Sequence, residues 1–326
     1  MKKLHFIIIA VFLFGAVLGC AKPAQKVLLI FSYHPEYPWV VEETAGVEGI
    51  LKDKGVETEK FYLDTKRNTS DEWKQEIAGA AVEKIEEFKP DLVIVFDDNA
   101  CELVAKKYIG KSLPFVFSGM NGEPEDYGFP ASNITGTIER ENLEAPISFL
   151  KQLVPDVEKV AIITDNSPTS QGFITNAEKG TLPTGISEFF ATDDFDAWKA
   201  KVTELQSTVD AIGIYTYHTI QEVGQEQSMA PEDVMKWTLD NSNLPGFSYF
   251  DFTVRDGVLC GVATYGYEQG KAAAEIAIRI LNGEKPADIP IQCPQDEGTK
   301  LINETRAIEL NIIIPQGLLE EVEILP

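Results

Sequence analysis

Polar and aromatic side chains collect directly behind runs of apolar sequence, and their types suit the capture of a small molecule. Behind Val27–Phe31 come Ser32, Tyr33 and His34, with Tyr37 and Trp39 close by. Behind Leu92–Phe96 come Asp97, Asp98 and Asn99, and behind Leu113–Phe117 come Ser118, Gly119, Met120 and Asn121. Later in the chain, Val160–Thr164 leads into Asp165, Asn166, Ser167, Thr169 and Ser170. Ala211–Tyr215 ends in Tyr215 and leads into Thr216, Tyr217 and His218, and Tyr249 and Asp251 follow further on. Hydroxyls and free backbone N–H groups at Ser118–Gly119 and at Thr169–Ser170, each near a helix start, suit a carboxylate. Asp97 or Asp165 suits an ammonium group, while Tyr33, Trp39, Tyr217 and Tyr249 suit an apolar or aromatic portion or a cation. Plainer roles stand beside these: Asp98 and Asp165 as helix caps, Trp39 as a staple under the core, and Gly119 and Gly122 as turn glycines.

Catalytic patterns are absent from the sequence, which has no GxSxG, HExxH, CxxC or GxGxxG. Gly266–Lys271 reads GYEQGK, one residue short of a phosphate loop and followed by Ala272 where Ser or Thr is required. No catalytic residue and no cofactor are therefore expected. His34 and His218 fall at strand ends, with Asp97 or Asp251 as possible helpers, but no close-spaced ligand pair exists, so no metal is expected. The chain carries 28 basic against 52 acidic residues, a net charge of −24, which argues against nucleic acid as a partner.

The elements that must hold these residues alternate. Val27–Phe31, Leu92–Phe96 and Val160–Thr164 are continuous apolar runs, the pattern of strands covered on both faces. Between them lie helical stretches at 40–54, behind an expected capping box of Thr69 and Glu72, and at 143–153, 197–206, 232–241 and 269–281. Further strands are expected at 56–63, 113–117, 186–190, 211–215 and 258–264. Near the C-terminus, 289–293 and 312–315 are apolar pieces flanking a short helix at 305–310. Asn133–Thr137 is an extended segment between two such series. The fold class expected is α/β, with two doubly wound parallel-sheet lobes joined by a hinge.

The front of the chain is an address. Lys2 and Lys3 precede an apolar run at 4–18 that is too short for a comfortable membrane span, and the run ends in Val17-Leu18-Gly19-Cys20. This resembles a bacterial lipoprotein signal, which implies removal of 1–19, lipid on Cys20, and a tether over 20–26. Of the remaining cysteines, Cys260 with Cys293 is the candidate disulfide. Three buried thiols, Cys101 included, are the favoured alternative.

Several segments in fixed order carry a family resemblance: SYHPEYPW at Ser32–Trp39, KPDLVIVFDD at Lys89–Asp98, LPFVFSGMN at Leu113–Asn121 and NITGT at Asn133–Thr137. FLKQLVPDVEKVAII at Phe149–Ile163 and YGYEQGKAAAEIAIRILNGEKPADIP at Tyr265–Pro290 continue the series. Together they resemble ABC-transporter substrate-binding proteins of the tryptophan/tyrosine-binding type, with SYHPEYPW closer to related sensor ectodomains of histidine kinases. The resemblance implies a type I periplasmic-binding-protein fold with about three crossings between lobes. The lobes expected are 27–137 plus 258–287, and 138–257 plus 288–326. With the signal ending at Cys20, a membrane-anchored lipoprotein of the periplasm or cell surface is expected, and a monomer. Such a protein passes an amino-acid-like ligand to an ABC permease or, alternatively, signals through a partner kinase.

Overall fold

Strands that are apolar at every position become covered on both faces, and they set the architecture. The computed structural model describes residues 24–294 and 298–326. The apolar run at 4–18 and Cys20 lie outside the described residues. The first lobe is built on β1 (Lys26–Phe31), β2 (Glu57–Tyr62), β3 (Leu92–Phe96), β4 (Phe115–Met120) and β5 (Ile134–Ile138). Between them run α1 (Pro38–Asp53), α2 (Asp71–Phe88) and α3 (Asp97–Leu103). These strands form one parallel sheet in the order β2-β1-β3-β4-β5. The order reverses between β1 and β3, the switch point at which open α/β sheets bind ligands.

The second lobe contains α4 (Glu144–Leu153), β6 (Val160–Thr164), α5 (Pro168–Lys179), β7 (Ile186–Ala191), α6 (Phe195–Leu205) and β8 (Ala211–Ile214). It continues with α7 (Pro231–Asp240), β9 (Gly246–Phe250), α8 (Asp251–Arg255) and β10 (Cys260–Thr264). After α9 (Gly266–Leu281) it is completed by β11 (Thr299–Asn303), α10 (Glu304–Glu309) and β12 (Glu323–Leu325). The sheet order is β12-β11-β10-β9-β8-β6-β7, parallel except where β10 meets β11. Its switch point lies between β6 and β8.

Two expectations are corrected, the lobe of 258–264 and the cap of α2, and the two apolar pieces near the C-terminus find their places. Residues 258–264 do not return to the first lobe, because β10 pairs with β9 and β11 in the second sheet; it is α9 that packs on α1. Residues 289–293 form no full strand: Gln292 bridges Thr137 beside β5 before the chain crosses to β11. Ile312–Pro315 forms no strand either, whereas the more polar β11 and the short β12 do. Helix α2 is capped by Ser70, whose Oγ accepts from Trp73 N at 3.2 Å, while Thr69 Oγ1 accepts from Gln221 of the other lobe. The chain thus passes between sheets after β5, between β10 and α9, and between α9 and β11.

Helices α1 and α9 touch backbone to backbone. A Cβ on Gly46 would lie 2.2 Å from the Tyr267 carbonyl oxygen, and one on Gly270 would lie 2.2 Å from that of Glu43. This contact seats Glu43 deep beneath the end of β4. Cys101 and Cys260 are buried free thiols, so the 260–293 disulfide does not form.

Candidate functional site

The two switch points face each other, and the residues behind β1, β3, β6 and β8 meet in one cleft. Tyr33, Tyr37, Trp39, Lys66, Asp97 and Asn121 from the first lobe leave a cavity of only about 20 Å³ against Thr169, Thr216, Phe250 and Phe252 from the second. Glu139, at the first crossing, completes the wall. The cavity has room for about one water molecule and lies far below the ~300–1,000 Å³ typical of small-ligand pockets, so the lobes are closed on each other here and must part to admit an organic ligand. The rings interlock across the lobes: Trp39 meets Phe250 edge-on at 5.7 Å, Tyr37 meets Phe252 at 5.7 Å, and Phe250 stacks on Phe252 at 5.0 Å.

The lobes are also tied by hydrogen bonds. Tyr33 and Thr169 join hydroxyls at 2.7 Å. At the β2 edge, farthest from the β5 crossing, a clasp forms from the loop after β2 and the 221–229 loop. Asn68 bridges Gln227, Ser228 N donates to Arg67 O at 3.2 Å, and Ser228 Oγ donates to Lys66 O at 2.6 Å. On the other flank, α5 lies against the turn at 121–123, where Asn176 Nδ2 donates to Asn121 O at 2.5 Å.

Two buried aspartates at equivalent strand ends have opposite surroundings. Asp165 Oδ1 accepts from Ser167 Oγ (2.7 Å), Ser170 Oγ (2.6 Å), Thr216 Oγ1 (2.9 Å) and Ser167 N (3.2 Å). Its Oδ2 accepts from His218 N (2.9 Å) and Thr219 N (3.3 Å) and pairs with Lys66 Nζ at 3.5 Å. Burial pushes this carboxyl up, but Lys66 and the Ser167 and Ser170 hydroxyls together hold it below the usual range. Asp97, by contrast, stands at φ +61° with Oδ2 unpartnered. Burial, then the neighbouring Asp98, push it well above the usual carboxylate range against the pull of Lys66 and Trp39. Glu139 Oε1 and both Glu43 oxygens are likewise buried without partners. Burial raises Glu139, followed by Glu141 and Asp97, and burial raises Glu43, followed by Asp97 and Glu139. Gly119 at φ +62° makes room for this group, since a Cβ there would begin 3.2 Å from Glu43 Oε1 and 3.5 Å from Asp97 Oδ1.

Of the residues expected at the site, Tyr33, Trp39, Asp97, Asn121 and Thr169 line the cavity. Others support it. Ser32 Oγ accepts from Ala100 N at 2.8 Å and donates to Phe96 O, fixing the start of α3. Asp98 holds Gly122 N (2.8 Å), Tyr127 Oη (2.9 Å) and Asn121 N (3.2 Å), and Asn99 donates to Thr65 Oγ1. Ser170 serves Asp165, and Ser118 is buried within β4. Tyr215 stacks on Phe173 at 3.9 Å and gives its hydroxyl to Glu141, and Tyr249 packs in the same core. The remainder point elsewhere. Tyr217 faces the second lobe's core with its hydroxyl on Asp256, and Asp251 pairs with Arg255 at 2.9 Å. His34 and His218 line an outer recess that shares Tyr37, Lys66 and Phe252 with the cavity. Burial, then Lys66, lower His218 to about 3. Among the described residues, no group of three or more His, Cys, Asp or Glu is placed to hold a metal ion.

Sequence reasoning missed Lys66, Glu139, Phe250 and Phe252. Lys66 follows a half-polar edge strand and reads as solvent-exposed, yet it is 2% exposed. Glu139 follows the crossing segment directly, and its position beside a hinge was the available signal.

Comparison with known proteins agrees with this architecture. The family described as ABC transporter substrate binding protein matches residues 34–323. A tyrosine-binding protein of Clostridioides difficile is 22% identical over 288 residues, 82% of this chain and 76% of its own. A solved ABC domain from Streptococcus pneumonia in complex with L-Trp superposes with a TM-score of 0.71 at 20% identity, covering 93% of this chain and all of that one. The ligand-free, open structure of a Clostridium difficile substrate-binding protein with adhesive properties gives 0.64 at 17% identity, over 93% of this chain and 99% of that one. The fold is thus that of the type I periplasmic binding proteins. With the family match spanning nearly its whole length, the chain belongs to the ABC transporter substrate-binding proteins.

Proposed function

We propose that this protein is an extracytoplasmic receptor, tethered by lipid on Cys20, that traps a small organic ligand between its lobes and presents the closed form to an ABC permease. The ligand carries an ammonium group and an apolar or aromatic portion. The observation that carries this reading is the interlobe cleft, where aromatic rings surround the buried carboxyls of Asp97 and Glu139, each with one oxygen that has no partner. The tyrosine-binding relative and the L-Trp complex lend it support.

Physically, the ligand acts through its preference for the closed state. In the open form, Asp97 and Glu139 face water from the first lobe. On closure they lose that hydration, and the ligand's N–H groups replace it while Phe250 and Phe252 cover the apolar portion. A micromolar dissociation constant corresponds to about −8 kcal/mol, within reach of one charged anchor and an aromatic cover. The clasp between 66–69 and 221–229 adds ligand-independent attraction, on the order of 1 kcal/mol per hydrogen bond.

Native mass spectrometry of the gently purified protein tests the reading. A stoichiometric small molecule is expected on the wild type and is lost from Asp97→Asn/Glu139→Gln. Retention of the same molecule by that variant would remove the cleft as its site.

A further inference from the structure

The charges around the cavity narrow the ligand class, provided that the cleft is the ligand site proposed above. Asp97, at the end of β3, and Glu139, just past β5, both line the cavity, and neither Asp97 Oδ2 nor Glu139 Oε1 has a hydrogen-bond partner. Both residues are more than nine-tenths buried. Among the described residues, Lys66 is the one cation in the wall, and it is drawn to Asp165 at 3.5 Å.

Most groups that would hold a ligand carboxylate are already engaged, the exceptions being the Tyr37 hydroxyl in the wall and the Ser118 hydroxyl buried in β4 outside it. The hydroxyls of Ser167, Ser170 and Thr216, with the N–H groups at 167, 218 and 219, serve the protein's own Asp165. Tyr33 and Thr169 bond to each other, and Asn121 Nδ2 points to Glu139 at 3.3 Å and Glu141 at 3.2 Å. An anionic group entering the cavity therefore meets two acids and donors that, the Tyr37 hydroxyl apart, are already occupied. A cationic group meets two free acceptor oxygens and the faces of aromatic rings. We infer that the cleft takes an organic cation without a carboxylate of its own, an arylalkyl or alkyl amine, in preference to a zwitterionic amino acid.

Calorimetry on the intact protein, freed of any co-purified molecule, tests this with two matched pairs: tyramine against L-tyrosine and tryptamine against L-tryptophan. At least one amine is expected to bind tenfold or more tightly than its amino acid. In Asp97→Asn/Glu139→Gln, amine affinity should fall at least 100-fold while the melting temperature stays level or rises, which separates lost recognition from lost folding. An amino acid that binds as tightly as its amine, in both pairs, overturns the inference and leaves the receptor reading standing. Absence of binding by all four probes overturns the arylalkyl assignment. Amine binding that survives unchanged in the double variant overturns both the inference and the cleft as the site.

Discussion

Asp97 and Asp165 occupy the same place in two similar lobes, the first position after a buried parallel strand, yet they have opposite fates. Asp165 is surrounded by hydroxyls, N–H groups and Lys66, all supplied by the protein. It is a buried anion whose partners are built in, so it belongs to the architecture and locks the lobes together through Lys66. Asp97 has lost water without gaining an equivalent set of donors, and it looks into a cavity. A buried carboxyl left in that condition is costly. The chain retains it where an incoming molecule can supply the missing donors. Burial alone therefore does not separate structural from functional acids; the supply of partners does.

The sharpest way to break this contrast is to remove each acid in turn. Asp165→Ala strands Lys66 and frees several buried donors, so a loss of about 3–5 kcal/mol is expected in a chemical denaturation of the ligand-free protein. A change under about 1 kcal/mol would mean that the hub is dispensable. Asp97→Asn should do the reverse, leaving the ligand-free protein level or more stable by about 1–3 kcal/mol, the usual cost of an unsatisfied buried group. A strong destabilisation by Asp97→Asn would show that the two acids play similar parts.

Stability against pH sharpens the contrast at lower amplitude. Glu43, Asp97 and Glu139 are raised in the folded state, by burial first and then by neighbouring acids. Asp98 and Glu141 add to this, and Lys66 opposes it at Asp97. Above the usual carboxylate range the folded form holds protons that the unfolded chain has released, so stability is highest below that range and falls as pH rises through the folded values. Glu42, raised to about 7 chiefly by burial, acts in the same direction. His218 works the other way: lowered to about 3 from 6.5, it subtracts stability as pH falls below about 6.5. Asp165, held low, likewise loses its contribution only in acid. Between about pH 6.5 and 8 the raised carboxyls act alone. The melting temperature of the ligand-free protein should decline there, and Asp97→Asn/Glu139→Gln should flatten the slope. A flat wild-type profile would contradict the assignment.

The smallest effect expected is at the clasp. Ser228→Ala removes one hydroxyl donor to Lys66 O, worth about 1 kcal/mol of closure, which is roughly a fivefold loss of ligand affinity by calorimetry. No change in affinity would mean that the clasp does not contribute to closing.

Much of this was legible in the sequence. The apolar runs 27–31, 92–96 and 160–164 marked buried parallel strands, and the residues just behind them marked the cleft. What distinguishes Asp97 from Asp165 was partly written too, since Asp165-Asn166-Ser167 with Ser170 places two hydroxyls within one helical turn of the acid. Lys66 was not legible, and Glu139 only through its place beside a hinge, because a lysine after an edge strand and a glutamate after a crossing acquire their burial only when the lobes meet. Tyr217 failed for a related reason. A strand end presents neighbouring residues to different faces, and it is Thr216, one position earlier, that reaches the cavity. The strands β11 and β12 escaped notice because the first is half polar and the second spans three residues.

The most direct test is a crystal structure of the protein with the small molecule it carries, or with tyramine if it carries none. The account predicts the ligand nitrogen within about 3 Å of both Asp97 and Glu139, with Phe250 or Phe252 against its apolar portion and Asp165 still bonded to its own hydroxyls. A ligand nitrogen paired with Asp165, or a ligand seated outside the cleft while Asp97 and Glu139 stay unpartnered, would contradict it.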